Sequence, residues 1–165
     1  MSTPTFTFET VAWNDARAVA LRDVMDAEMG VRYHRDEPEP AEVVAKRQAS
    51  LAVDPATVKA TVLALDADGT PLAHAALRTL RNDWEVKRVI VVDGQRGRGL
   101  GRALMNRLEE IAVAGGANRL ILQTGDRQPD AVALYERVGY TPIPIYEPYI
   151  ETIPGSFCFE KVVAH

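Results

Sequence analysis

Arg96-Gly97-Arg98-Gly99-Leu100-Gly101-Arg102 follows a β-branched run from Val86 to Val92. It leads into a stretch where Leu100, Leu104, Leu108, Ile111 and Ala112 recur at helical spacing. A strand, a glycine-rich turn and a helix in that order form an anion cradle. Gly97, Gly99 and Gly101 lack Cβ atoms and let the backbone come close to a ligand, while the first free N–H groups of the helix point at it. Aligned peptide dipoles, with Arg96, Arg98 and Arg102, add positive charge, so the expected guest is a phosphate or pyrophosphate.

Three kinds of phosphate cradle use such a turn. A P-loop needs Gly-Lys-Ser/Thr, and none follows here. A dinucleotide fingerprint needs G-x-G-x-x-G after the first strand of its unit. Here the glycines are spaced G-x-G-x-G, far into the chain. What remains is Arg-x-x-Gly-x-Gly, formed by Arg96, Gly99 and Gly101. In this the sequence resembles the GNAT superfamily of acetyl-CoA-dependent N-acyltransferases.

Two further segments carry the resemblance. Glu85-Val86-Lys87-Arg88-Val89-Ile90-Val91 is similar to the strand that precedes the turn in that family, in register and without a gap. Ala131 to Tyr140, with Leu134-Tyr135-Glu136 and Gly139-Tyr140, resembles the family's late helix. All of this lies between residues 84 and 142; the flanks carry no distinctive motif.

With 165 residues and a net charge of -4, the chain has one domain's length, read as a single domain over 1–165, and lacks the basic excess that nucleic-acid binding requires. The single cysteine, Cys158, excludes an intramolecular disulfide and fits a reducing compartment. No apolar run reaches membrane-spanning length and the first residues do not read as a secretory signal, so a cytoplasmic location without membrane contact is expected.

Periodicity gives a mixed α/β order. Thr5 to Val11, Val58 to Leu65, Leu72 to Leu80, Trp84 to Val92, Leu120 to Thr124 and Ser156 to Val163 read as strands. Asn14 or Asp15 caps a helix to about Met29, Glu42 to Ala52 is a second helix, Gly115-Gly116 ends the helix after the turn, and Pro129 opens the last one. Asp66-Ala67-Asp68-Gly69 is a hairpin turn. The coherent fold is one α/β domain with a mixed, mainly antiparallel central sheet flanked by helices.

Acyl transfer to an amine needs a neutral nucleophile, an acid for the leaving thiolate and donors for the oxyanion, but no metal and no acyl-enzyme. The resemblance places Tyr135 at the general-acid position; read alone, it is as readily a core tyrosine. It places Glu85 at the strand-entry position of a base or water-holder. The alternative pairs Glu85 with Lys87 or a neighbouring-strand arginine on a solvated face. Asp83 and His74 are weaker base candidates, and His74 reads first as a packed histidine. Strict alternation puts Glu85, Lys87, Val89 and Val91 on one face of their strand, with Val86, Arg88 and Ile90 on the other.

By the same resemblance, backbone groups of Val89, Ile90 and Val91 bind the pantetheine arm of acetyl-CoA. The pyrophosphate falls to Arg96, Gly97, Arg98, Gly99, Leu100, Gly101 and Arg102. Gln128 stands where relatives carry an asparagine against the cofactor. Tyr33 and His34, in a charged stretch from Met29 to Glu39, and Tyr146 and Tyr149, in a proline-rich one from Pro142 to Pro154, are candidates for the acceptor pocket. The implied activity is acetyl transfer from acetyl-CoA to a primary amine of a small molecule or peptide. The alternative is a noncatalytic acyl-CoA-binding sensor on the same fold. Similar proteins often form homodimers.

Overall fold

A computed structural model describes residues 5–163; the rest of the expected 1–165 domain, residues 1–4 and 164–165, lies outside the described residues. The elements are β1 (Phe6–Val11), α1 (Ala16–Arg32), α2 (Ala41–Leu51), β2 (Val58–Asp66), β3 (Pro71–Leu80), β4 (Asp83–Val91), α3 (Leu100–Ala114), β5 (Arg119–Thr124), α4 (Pro129–Arg137), β6 (Thr141–Ile143), α5 (Tyr149–Thr152) and β7 (Phe157–Val162). The strands form a seven-stranded sheet in the order β1-β2-β3-β4-β5-β7-β6. All its pairings are antiparallel except β4 with β5.

Local chemistry sets the breaks. Asp15 caps α1, its carboxylate accepting from the Arg17 N–H at 2.9 Å. Asp66 closes the β2–β3 hairpin by accepting from the Asp68 and Thr70 N–H groups, both at 2.9 Å. The helix α1 runs on to Arg32, past the expected end near Met29, so Arg32 is helical and in line with Glu28 one turn earlier. Two short elements, β6 and α5, fall in the stretch expected to be loop.

Alternation along β2 and β3 sends side chains to two cores. Val62, Ala64, Ala73, Ala75 and Leu77 pack with Leu104, Met105 and Leu108 of α3, whereas Leu63 and Leu65 pack with Ala18 and Leu21 of α1. Strict alternation fails in β4. His74 pairs with Ile90 but Ala76 with Lys87, so β4 carries one residue more than β3 over that span. Arg88 sits there with φ of +59°. This bulge exchanges the faces. Glu85 and Lys87 share the face of Arg78, whereas Val89 and Val91 join Val86 on the α3 side and Ile90 the α1 side.

Candidate functional site

β4 and β5 run parallel and pair only at Trp84 with Leu120 and Glu85 with Ile121. Beyond Glu85 they diverge and β4 keeps an edge without a strand partner. A cleft of about 460 Å³ lies beside that edge. Val89, Ile90 and Val91 form one wall, Leu134 and Tyr135 of α4 another, and Met25, Glu28, Met29 and Arg32 of α1 its cover. The turn before α3 forms the end. Gly97 and Gly99 take φ of +81° and +78°, the left-handed region where a side chain is strained. Gly99 is the N-cap of α3, and no side chain caps the free N–H groups of that helix. At Gly101 a Cβ would stand 3.1 Å from Leu134 Cδ2, so glycine there lets α3 press against α4.

Arg96 lines this cleft, but its guanidinium is engaged. Nε donates to the Val91 carbonyl at 3.1 Å and Nη2 to both Glu28 oxygens at 2.9 Å. Arg32 joins Glu28 at 3.1 Å and Asp130 at 3.1 Å, so a row of ion pairs crosses the mouth from the turn to α4. Gly97, Gly99, Leu100, Gly101 and Arg102 also face the cleft, whereas Arg98 lies off it and donates to Gln95 at 2.8 Å. Gln128 is on the wall, its Nε2 3.5 Å from the Tyr33 hydroxyl.

Tyr135 reaches the cleft from α4 and is otherwise buried, its ring centroid 6.1 Å from that of Tyr140 and 6.3 Å from that of Phe159. Burial, with Asp130 nearby, holds its phenol well above the ordinary value. The phenol therefore stays protonated across the neutral range, as a weak acid on the cleft wall.

Glu85 is outside the cleft wall and 0 % exposed. Oε1 accepts from Arg78 Nε at 2.7 Å; Oε2 accepts from the Tyr146 hydroxyl at 2.5 Å and the Tyr149 hydroxyl at 3.0 Å. Lys87 Nζ donates to the Tyr149 hydroxyl at 3.0 Å, and burial brings its ammonium down to about 8. Burial, then the Glu85 charge, push both phenols far up. Glu85 thus pairs with a neighbouring-strand arginine, as the alternative held, but on a buried face and not a solvated one. Of this cluster only Tyr146 is half-exposed.

Tyr33 packs over the β5–α4 connection, its hydroxyl accepting from the Arg127 N–H at 3.1 Å in space that a Cβ at Gly125 would fill. His34 turns to solvent beside Asp36. Cys158 is buried in β7, where burial raises its thiol. Among the described residues, no group of three His, Cys, Asp or Glu side chains is placed to hold a metal ion, and no helix is long and apolar enough to cross a membrane.

Sequence reading offered Glu85 a neighbouring-strand arginine without naming Arg78, and did not find Glu28. Arg78 had a signal, because counting back from the turn after Leu80 sets it opposite Glu85. Glu28 had none, since its contact with Arg96 depends on how α1 crosses the sheet.

The chain is similar to known proteins. An IAA acetyltransferase of Azospirillum brasilense is 40% identical over 65 residues, 39% of this chain and 42% of that protein. A mycothiol acetyltransferase of Beutenbergia cavernae is 38% identical over 85 residues, 51% of this chain and 29% of that protein. The chain thus matches less than half the length of either curated relative. A solved Klebsiella pneumoniae structure, classed among the acyl-CoA N-acyltransferases, superposes with a TM-score of 0.76 at 28% identity, over 96% of this chain and 97% of that one. The ribosomal-protein-S18-alanine N-acetyltransferase of Escherichia coli, at 20% identity, shares the fold with a TM-score of 0.62 over 97% of this chain and 95% of its own. The model of the acetyltransferase (GNAT) family matches residues 20–140, a span that takes in the cover of the cleft, its glycine turn and α4, and the chain belongs to that family.

Proposed function

We propose that the protein transfers an acetyl group from acetyl-CoA to a primary amine of a small molecule or peptide by direct attack. The observation that carries this is the cleft between the diverging strands, closed by an uncapped helix N-terminus with Tyr135 on its wall. Its chemistry fits the cosubstrate. Left-handed glycines and free N–H groups suit a pyrophosphate, and the open β4 edge at Val89 to Val91 offers peptide groups to an amide-bearing arm. Acetyl-CoA supplies an activated thioester. That the two curated relatives are both named acetyltransferases supports acetyl over longer acyl groups.

The residues divide the proton work. Tyr135 gives its proton to the departing thiolate. Glu85 is the base, but its carboxylate is sealed behind two tyrosines, so the proton reaches it through Tyr146. Tyr146 is the half-exposed member of the cluster: its hydroxyl accepts the amine's proton while passing its own to Glu85 Oε2. Tyr149 and Arg78 hold that carboxylate in place. Arg96 binds phosphate once it leaves Glu28, and Tyr33 and Tyr146 border the acceptor.

The same seal on Glu85 favours a second reading, a noncatalytic acyl-CoA-binding sensor. Release of free thiol from acetyl-CoA across polyamines, amino acids, aminoglycosides and peptide N-termini tests the two. Turnover that Tyr135→Phe lowers supports the enzyme; calorimetric binding of acetyl-CoA with no thiol release from any amine supports the sensor.

A further inference from the structure

Arg22 lies on α1, 7% exposed, yet among the described residues its guanidinium makes no ion pair. It stacks 3.6 Å above the Trp13 ring, donates from Nη2 to the Trp13 carbonyl at 2.5 Å, and meets His74 Nε2 from Nη1 at 3.0 Å. The other ring nitrogen, His74 Nδ1, lies 2.8 Å from the Arg88 carbonyl. These partners fix the ring's state. A guanidinium only donates, so Nε2 accepts; a carbonyl only accepts, so Nδ1 carries the proton. The imidazole is neutral and single-tautomer, and burial keeps it so down to about 4.

Arg88 is the bulged, left-handed residue of β4. A bulge takes its peptide out of the ladder, and a buried carbonyl without a partner is costly. His74 supplies that partner from β3, beneath the bulge. Arg22 ties the same ring to α1, whose next turns bring Met25, Glu28 and Met29 over the cleft. The Arg88 side chain adds a tie of its own to α1, donating to Asp26 at 2.7 Å.

We propose that His74 and Arg22 are positioning residues of the cofactor cleft. The imidazole holds the Arg88 carbonyl, and with it the bulge that turns Val89 and Val91 to the cleft wall. Arg22 locks that wall to the helix covering it. The inference rests on the acetyl-CoA reading of the cleft.

Coenzyme A titrated calorimetrically into the full chain tests it, with amide exchange at Val89 to Val91 followed in parallel. His74→Leu fills similar space without hydrogen bonds; it weakens coenzyme A binding about tenfold or more and speeds exchange at those amides. His74→Gln can donate to Arg88 and accept from Arg22, and recovers affinity to within about threefold of wild type. A merely structural histidine would give no such rescue. A cooperatively melting His74→Leu chain with wild-type affinity and exchange overturns the proposal. Should that variant not fold, Arg22→Met, which leaves the His74–Arg88 bond but frees the wall from α1, is expected to weaken coenzyme A binding about tenfold, and unchanged affinity there overturns the proposal. A wild-type chain that binds no coenzyme A refutes the acetyl-CoA reading instead, and the hold on the bulge is then decided by exchange alone: faster in His74→Leu supports it, unchanged overturns it.

Discussion

Arg78 and Glu85 are the residues with most to lose from each other's absence. Removing one partner of a buried pair leaves an uncompensated charge, at a cost of about 3–5 kcal/mol. Arg78→Met is therefore expected to lower unfolding free energy by that order in a urea titration. Tyr146→Phe should behave differently. It breaks the route to Glu85 while sparing the cleft, so turnover falls about a hundredfold with coenzyme A affinity unchanged in calorimetry. Lys87 gives the cluster a pH signature. Its ammonium is lowered from 10.5 to about 8, so between those values the unfolded chain binds more protons than the folded one, and stability contributed by this residue rises with pH. Comparing wild type with Lys87→Met by chemical denaturation from roughly pH 8 to pH 9.5, below the range of the tyrosines, should show wild type gaining on the variant as pH rises, the opposing contribution of the Cys158 thiol being common to both.

At the scale of elements, the turn before α3 is the most exacting piece. Gly99→Ala forces a side chain into the left-handed region, costing on the order of 1 kcal/mol of stability in thermal melts. Gly99→Glu adds charge conflict and should abolish coenzyme A binding in calorimetry. This turn was legible in the sequence because glycine spacing and a helical stripe are local signals. So was the helix of Tyr135, opened by Pro129 and closed near Gly139. Elements whose cause is not local were not legible. The bulge in β4 left no trace because Val86 to Val92 is almost wholly apolar or long-chained, and parity carries no information there. The helix α5 is a single turn held by burial of Tyr149 against Arg78, Glu85 and Lys87, contacts that no period announces. Glu85 was singled out by its position, but its seal comes from tyrosines more than sixty residues away.

Across the whole molecule the two walls of the cleft differ in how they are held. The helix α3 presses Leu100, Leu104, Met105 and Leu108 into the larger core, whereas α1 commits Ala18 and Leu21, with a half-buried Met25, to a small one. Ordering follows buried contacts. Hydrogen exchange should find α1 opening more readily than α3, and coenzyme A should slow α1 more than any other helix. The bulge at Arg88 bears on the molecule in genetic terms. A point change in β4 alters one side chain, and loss of the Arg88 codon would set Val89 opposite Ala75 in an unbroken ladder, with Ile90 and Val91 still opposite His74 and Ala73 and each facing its present core. What such a deletion would remove is the bulge itself, with the Arg88 carbonyl that His74 holds and the Arg88 side chain that reaches Asp26.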